Sequence, residues 1–228
     1  LNDKLSEVEN SKEEYLDFVD SFIHEIKAPI SALSLYADNN NDERVKEEVL
    51  KISRLVDKML FYARSDVVEK DYFIKEVTLA DLVHPVLLEY KNYLLNYHIK
   101  VEVKNLDNLK VYTDIKWLNF IIGQIISNSL KYQNKKDRLV RIKGVSTKNN
   151  IKLEIYDNGV GIKESDISKV FEKGFTGSNR NKKNASGIGL YLTKKLCDKL
   201  GIDIKIESVY LKYTKVVITF PKGNYFIK

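Results

Sequence analysis

The sequence predicts an α+β protein in two parts: an antiparallel helical hairpin, then an α/β sandwich with helices on one face of a mixed sheet. Residues 1–66 contain no glycine and repeat apolar residues at helical spacing. From about residue 72 onward, short stretches alternate apolar and polar residues as strands do, with helical stretches between them. These observations predict a helical unit over residues 1–68 and a second unit over 72–228, joined by the polar stretch SDVVEKDYF.

An apolar stripe at heptad spacing predicts the helices of the hairpin. In DERVKEEVLKISRLVDKMLFYAR the stripe comprises Val45, Val49, Ile52, Val56, Met59 and Ala63, and Leu55 and Leu60 widen it. The same rhythm occurs upstream at Tyr15, Val19, Phe22 and Ile26. The polar stretch ADNNND, with Asp42 as an N-cap candidate, predicts the turn between the two helices. Two helices cannot bury such broad stripes alone, so the pattern predicts a homodimer with a four-helix bundle.

In the second unit, alternation predicts several strands and two longer helices. The expected strands lie in FIKEVTL, YHIKVEVKNL, IDIKIES and TKVVITFP, and RLVRIKGVSTKNNIKLEIYD predicts a hairpin that turns at KNN. The expected helices are DIKWLNFIIGQIISNSLKY and IGLYLTKKLCDKL, the latter ended by Gly201. The stretch GFTGSNRNKKNASG has no apolar period and predicts a long loop, which in a compact domain is usually a functional lid or disordered.

Composition excludes several classes of protein. The chain has 228 residues, 43% hydrophobic and 31% charged, which suits a soluble globular protein. No stretch approaches the roughly 20 apolar residues that cross a bilayer, and the polar start LNDKLSEVEN lacks a signal-peptide pattern. The net charge is +6, but lysines are spread among acids, so no nucleic-acid surface is expected. The single cysteine, Cys197, rules out an intrachain disulfide and indicates a reducing compartment and a core position.

The stretch HEIKAP presents the first candidate for chemistry. Because each helical residue turns by about 100°, His24 lies about 200° from Phe22 and Ile26 and is expected to face away from the bundle seam. A neutral imidazole nitrogen can attack phosphorus, and the adjacent Glu25 can hold its tautomer and take its proton. Pro29 crowds the carbonyl of Glu25 and is expected to loosen or bend the helix. The alternative is a surface histidine beside a chance glutamate.

Two glycine motifs and one polar helix face are candidates for a nucleotide site. Asp157 in DNGVGI ends an apolar strand and is followed by Gly159 and Gly161, although Asn-Gly pairs also form ordinary turns. The stretch SGIGL opens a helix whose N-terminal N–H groups suit phosphates. On the long helix, Gln124 and Asn128 share a face that alternatively is a polar outer stripe. No GxxxxGK[ST] sequence occurs, which excludes a P-loop.

Together, these motifs resemble a bacterial sensor histidine kinase over about residues 10–220. The order is HExxxP, a polar-rich helix with Asn128, DxGxG, Phe171 with Phe175, and GxGL. The first unit resembles the dimerisation and histidine-phosphotransfer bundle. The second resembles the catalytic ATP-binding domain that histidine kinases share with gyrase, Hsp90 and MutL.

The resemblance implies roles for individual residues. His24 would be the phospho-acceptor and Glu25 its general base. Asp157 would accept the adenine amino group, and Gly159 and Gly161 would let the chain approach the base. The residues implied at the rest of the ATP and Mg²⁺ site are Gln124, Asn128, Lys131, Tyr132, Gly187, Ile188, Gly189 and Leu190.

The loop from about 163 to 186 would be the ATP lid, in which Arg180, Lys182 and Lys183 would screen the phosphates. The implied partner is the receiver domain of a response regulator.

Two departures from the family pattern affect these expectations. Gln124 stands where an asparagine is frequent, which alters the reach of an amide toward the metal. Ala28 stands where many relatives have a threonine or asparagine that positions water to dephosphorylate the partner, so we expect weak phosphatase activity. The alternative reading of the whole chain, a non-catalytic scaffold that binds a regulator, would be marked by loss of His24, Asn128 or Asp157, and all three are present.

A finer resemblance is to small kinases of Firmicutes that sense cell-envelope stress or antimicrobial peptides, often beside an ABC transporter. It implies that this chain, which begins with Leu1, is the cytoplasmic part of a longer membrane protein. The other histidines are expected to be structural: His84 at a helix start before Pro85, and His98 at the opening of a strand. Trp117 is expected in the core.

Overall fold

The computed structural model describes residues 2–65, 73–177 and 186–223. The chain forms two compact units, Leu1–Val68 and Glu69–Lys228. Within the described ranges, no helix combines the length and apolar character that crossing a bilayer requires.

Unit 1 is a hairpin of two helices, α1 (Asn2–Asn39) and α2 (Glu43–Arg64). The Asp42 carboxylate accepts hydrogen bonds from the N–H groups of Arg44 and Val45, both at 3.1 Å, which confirms the predicted N-cap. Pro29 lies inside α1, which continues beyond it to Asn39. The proline therefore does not end the helix, whose length carries His24 well away from both ends.

The side chains buried in unit 1 form a small cluster. Val19, Ile23 and Ala63 are buried, and three partly buried residues pack against them: Leu16, Val56 and Leu60. Much of the predicted apolar stripe stays exposed within this single chain; the exposed members include Tyr15, Phe22, Ile52, Leu55 and Met59. A second copy would cover this surface, and the homodimer remains a prediction.

Unit 2 contains the remaining elements in the following order: β1 (Lys75–Thr78), α3 (Leu79–Glu89), α4 (Lys91–Asn96), β2 (Lys100–Lys104), β3 (Lys110–Thr113), α5 (Ile115–Lys131), β4 (Leu139–Ser146), β5 (Asn150–Asp157), α6 (Glu164–Ile167), α7 (Gly189–Lys199), β6 (Asp203–Val209) and β7 (Tyr213–Pro221). Five strands form one mixed sheet in the order β2-β4-β5-β7-β6, and β1 pairs with β3 separately. Only β2 and β4 pair in parallel in the larger sheet.

The helices α3, α5 and α7 pack together, and α5 and α7 cover one face of the sheet. The core is mainly apolar; it includes Leu118, Ile121, Ile122, Ile142, Leu153, Ile155 and Leu192. The opposite face carries a row that crosses all five strands, formed by Glu102, Arg141, Tyr156, Lys215 and Glu207. This arrangement confirms the predicted α+β class, with a helical hairpin followed by an α/β sandwich.

The expected positions of two histidines were wrong. His84 and Pro85 lie in the interior of α3, because that helix begins with a capping box in which Thr78 and Asp81 exchange hydrogen bonds. His98 has a φ of 50° in a turn, and β2 begins only at Lys100. Trp117 is buried, and Gly201 has a φ of +65° after α7, as the sequence predicts.

Candidate nucleotide site and phospho-acceptor helix

Asp157 is a carboxylate buried at the end of β5. Its side chain is in a residue only 5% exposed, and its Oδ1 accepts a hydrogen bond of 2.9 Å from the Gly159 N–H. Burial raises the pKa of Asp157 to about 6. Hydrogen bonds from Gly159 and Ser129 and the positive charge of Lys135 lower this pKa, but burial has the larger effect. A buried acid that can ionise near neutral pH and is fixed by backbone suits a specific hydrogen-bonding role.

The two glycines after Asp157 allow close backbone approach within the protein. A Cβ on Gly159 would lie 2.5 Å from the Tyr132 carbonyl oxygen, and one on Gly161 would overlap the carbonyl of Val209. Gly161 also has a φ of +64°. The Val160 N–H donates to the Tyr132 carbonyl at 3.0 Å, so the loop is joined directly to the end of α5.

The β6–β7 hairpin braces the same loop from the other side. The Ile162 N–H donates to the Ser208 hydroxyl at 2.8 Å, and that hydroxyl donates to the Tyr213 carbonyl at 2.6 Å. The Leu211 N–H donates to the Val160 carbonyl at 2.6 Å. Sequence reasoning missed Ser208 and Ser129, because a serine in an alternating strand or on a helix gives no signal of a distant partner.

The polar face of α5 ends at this loop. Gln124, Asn128, Lys131 and Tyr132 are partly exposed, and the Lys131 ammonium lies 5.6 Å from the centroid of the Tyr132 ring. Burial raises the pKa of the Tyr132 phenol. Within the described ranges, the side-chain amides of Gln124 and Asn128 make no hydrogen bond. Both amide oxygens therefore remain available as ligands for a hard cation such as Mg²⁺.

The N-terminus of α7 packs near α5 and has no side-chain cap from Ile188. The first N–H groups of a helix have no partner within the helix, which makes a helix start of this kind suited to binding phosphate. Gly187, with a φ of +64°, lies against Gly174, whose N–H donates to the Gly187 carbonyl at 3.1 Å. The start of α7 is therefore joined to Gly174, which lies inside the expected lid.

The expected lid cations Arg180, Lys182 and Lys183 lie outside the described residues. The rest of the expected lid contains the short helix α6 and a buried Val170. Phe171 and Phe175 are partly exposed.

In unit 1, His24 and Glu25 are both exposed on α1, next to the buried Ile23. The outward orientation of His24 matches the helical-wheel prediction. An exposed imidazole one residue from a carboxylate is accessible to a second domain and to a separate partner protein.

Beyond the Asp157 loop and His24, the described residues present an apolar groove but no cluster of acidic, histidine and cysteine metal ligands. Among the described residues, no group of three or more histidine, cysteine, aspartate and glutamate residues could hold a metal ion. An apolar groove of about 420 Å³ lies between α3, α4 and β2. Its lining consists of His84, Leu87, Leu88, Lys91, Leu94, Leu95, Ile99 and Val101. The groove has no paired acid and base and is separate from the Asp157 loop in the fold.

Comparison with known proteins places this geometry in a family. The protein-family model described as "Histidine kinase-, DNA gyrase B-, and HSP90-like ATPase" matches residues 113–224. Sensor protein BceS of Halalkalibacterium halodurans is 33% identical over 233 residues, covering 100% of this chain and 69% of the relative. Sensor histidine kinase YxdK of Bacillus subtilis is 32% identical over 221 residues, covering 95% and 68%. This chain belongs to the sensor histidine kinases.

A further relative of this histidine kinase is GraS of Staphylococcus haemolyticus, 37% identical over 208 residues. That alignment covers 89% of this chain and 60% of the relative. The chain thus spans about 60 to 69% of the length of these curated relatives. The family is the one the motifs predicted, the sensor histidine kinases.

Solved structures agree on the fold of the kinase. The catalytic domain of histidine kinase ThkA has a TM-score of 0.58 at 18% identity, covering 66% of this chain and 98% of that one. Full-length ShkA in complex with AMPPNP has a TM-score of 0.67 at 14% identity, covering 90% and 45%. AdeS of Acinetobacter baumannii has a TM-score of 0.58 at 18% identity, covering 88% and 98%.

Proposed function

We propose that this chain phosphorylates itself on His24 with ATP and passes the phosphoryl group to an aspartate of a response regulator. The observation that carries the proposal is that one chain contains both a candidate ATP site and a candidate nucleophile. A buried carboxylate, Asp157, heads a backbone-braced glycine loop in a domain of the ATPase family, and an exposed His24 stands beside Glu25 on a long helix.

In the first step, an imidazole nitrogen of His24 attacks the γ-phosphorus of ATP. The bond between that phosphorus and the bridging oxygen breaks, and ADP leaves with the electron pair. Glu25 takes the proton that the imidazole gives up. Phosphoryl transfer depends on positioning and charge neutralisation more than on covalent help from the protein, which suits a nucleophile presented on a rigid helix.

The base and the phosphates of ATP contact different elements in this proposal. The ionised Asp157 accepts a hydrogen bond from the adenine amino group, with Gly159 and Gly161 at the base. Lys131 and Tyr132, at the end of α5, contact the nucleotide. The phosphates bind at the uncapped start of α7, where the donors are Gly187, Ile188, Gly189 and Leu190.

Magnesium fits the donor set on α5. The side-chain amide of Asn128 offers a neutral oxygen one turn from that of Gln124. Mg²⁺ is bound through few protein oxygens together with phosphates and water, so one or two amides are sufficient. The ion would neutralise the phosphate charge, and Asn128 and Gln124 would hold it.

In the second step, a carboxylate oxygen of the response regulator attacks the phosphorus on His24, and the nitrogen–phosphorus bond breaks. Ala28, one turn after His24, offers no side-chain hydrogen bond to a water molecule. The kinase therefore hydrolyses the phosphorylated regulator slowly. An Ala28→Thr variant is expected to hydrolyse the phosphorylated regulator faster than the unaltered kinase. Equal rates, with fast hydrolysis in both, would contradict this assignment.

The biological setting follows from the same family. The exposed apolar stripe of unit 1 supports a homodimer with a four-helix bundle. Relatives named as sensor proteins support a membrane-anchored kinase of which this chain is the cytoplasmic portion. The resemblance to envelope-stress kinases supports an ABC transporter as a membrane partner.

The experiment is incubation with γ-labelled ATP and Mg²⁺, followed by tests of the labelled bond. The expected label is stable in alkali, is lost in acid, and moves to a receiver domain on mixing. His24→Ala is expected to remove it, and the matched control His98→Ala, at the exposed turn before β2, is expected to keep it. ATP binding without any label would favour the non-catalytic scaffold.

A further inference from the structure

Among the described residues three ion pairs join α1 to α2, and two of them flank His24. Arg64 binds Asp20 through two contacts, Nη2 to Oδ2 at 2.6 Å and Nε to Oδ1 at 3.3 Å. Lys27 Nζ lies 2.9 Å from Asp57 Oδ1. Asp20 precedes His24 by one turn, and Lys27 follows it by one turn.

Both pairs follow the same antiparallel register. Asp20 and Lys27 are seven residues apart on α1, and Asp57 and Arg64 are seven apart on α2. Residues seven apart lie on one face of a helix, so the two pairs lie along the same seam. A slip of α1 past α2 by one residue would break both pairs at once. The two-point contact of a guanidinium with a carboxylate also restrains rotation, because its geometry is planar.

Arg64 also marks where the chain leaves unit 1. It is the last residue of α2, and the buried Ser65 that follows donates its hydroxyl to the Tyr62 carbonyl at 2.7 Å. The chain then continues through residues 66–72 toward the ATP-binding unit. The Asp20–Arg64 pair therefore ties the start of the connecting segment to the turn of α1 that precedes His24.

We propose that Asp20 and Arg64 are positioning residues for the phosphorylation of His24. The inference rests on the proposed function. The pair fixes the register in which the phospho-acceptor helix stands relative to the helix end that leads to the ATP-binding unit. Transfer needs the nucleophile about 3–3.5 Å from phosphorus, and a misplacement of about 1 Å can cost a hundredfold in rate.

The test compares charge reversal with charge exchange in the full chain. Arg64→Glu sets two carboxylates against each other and is expected to slow labelling of His24 about tenfold at saturating ATP, with an unchanged KM for ATP. The double variant D20R/R64D restores an opposite pair and is expected to recover to within about threefold of the unaltered rate. The matched control E48K/K51E exchanges an exposed pair within α2 and is expected to have no effect.

Thermal midpoints, measured for the same variants, distinguish an effect on positioning from an effect on folding. The inference requires labelling rates that follow the presence of the pair while the midpoints stay close together. If Arg64→Glu fails to fold, Arg64→Lys tests the inference instead, because it keeps the charge and loses the two-point contact. Its labelling rate is expected to be about threefold lower, with an unchanged KM for ATP. Unaltered rates in Arg64→Glu or in Arg64→Lys would overturn the inference, as would a double variant that folds but stays as slow as the single one. Failure of the proposed function is distinct, because then the unaltered chain itself would not label.

Discussion

The two units place their functional groups in opposite ways. In unit 1 the candidate nucleophile is one exposed side chain, His24, on a helix whose apolar stripe is largely open, with Leu55 65% exposed and Phe22 43% exposed. In unit 2 the candidate site is made of backbone, where the Asp157 loop meets the carbonyls of Tyr132 and Val209 over a closed core. Unit 1 thus presents a surface that a second chain would cover in the predicted homodimer, whereas unit 2 depends on internal contacts.

This contrast determines what sequence reasoning could find. Local signals predicted His24 on an outward face, the Asp42 cap, the β4–β5 hairpin and Gly201 after α7, because each depends on neighbours within a few residues. The brace of Ser208 on the Asp157 loop depends on an approach over 46 residues, and no local pattern encodes it.

The errors in prediction have a physical cause of the same kind. Proline is favoured in the first turn of a helix, which predicts a start at Pro85, but the capping box at Thr78 starts α3 earlier and the helix contains the proline. The short elements α4 and β3 were missed, because four to six residues carry too little periodicity to identify them.

The largest expected effect is at Gly161, in unit 2. Gly161→Ala adds a Cβ that overlaps the Val209 carbonyl in a backbone conformation with φ of +64°. We expect it to destabilise unit 2 by about 3 to 4 kcal/mol and to remove ATP binding, since strain and overlap both act on the loop. Urea unfolding followed by the fluorescence of Trp117, the chain's one tryptophan, reports on unit 2.

Gly123→Ala is the matched control for Gly161. Gly123 lies inside α5, where an added Cβ meets only Val86 Cγ1 at 3.9 Å. Alanine is expected to stabilise the helix by about 0.5 to 1 kcal/mol and to leave ATP binding unchanged. Equal effects of the two substitutions would show that backbone approach does not build the site.

The next largest effect is expected at Asp157, where a substitution should change stability and ATP affinity in opposite directions. Its folded pKa of about 6 exceeds the ordinary value of 3.8, so the protein binds this proton more tightly when folded. The associated stability is fully present below pH 4 and is lost as the pH rises through 6. Asp157→Asn is therefore expected to raise the free energy of unfolding at pH 7.5 by up to about 3 kcal/mol, while ATP affinity falls about a hundredfold.

Unfolding curves at pH 4, 5, 6 and 7.5 check the sign for Asp157. The gain in Asp157→Asn should shrink as the pH falls. In the unaltered chain, ATP affinity should decline below pH 6, because the neutral acid is a weaker acceptor. A gain independent of pH would contradict the assigned cause.

An intermediate effect is expected on the open surface of unit 1. Leu55→Lys places a charge in the exposed stripe and should raise the dissociation constant of a homodimer about a hundredfold, by forcing the ammonium out of water on association. Leu88→Lys, at an equally exposed leucine of unit 2, is the control. Sedimentation over a range of concentrations measures both. If the unaltered chain is a monomer, the predicted four-helix bundle is wrong.

The smallest effect is expected on the outer sheet face. Hydrogen bonds from Lys100 and Arg141 lower the pKa of Glu102 to about 2. Its contribution to stability is present above the ordinary pKa of 4.5 and is lost as the pH falls through 2. Because Glu102 and its two partners remain partly open to solvent, which screens their charges, Glu102→Gln should lower the thermal midpoint at pH 7 by only about 1 °C. Glu154→Gln, on the same face, controls for the change in net charge.

The division of labour between the units is tested most directly by assaying His24→Ala and Asp157→Asn side by side for labelling and for binding of a fluorescent ATP analogue. We predict that His24→Ala fails to label but binds the analogue as tightly as the unaltered chain, and that Asp157→Asn labels poorly and binds the analogue about a hundredfold more weakly. Label that survives His24→Ala, or tight binding by Asp157→Asn, would contradict this prediction.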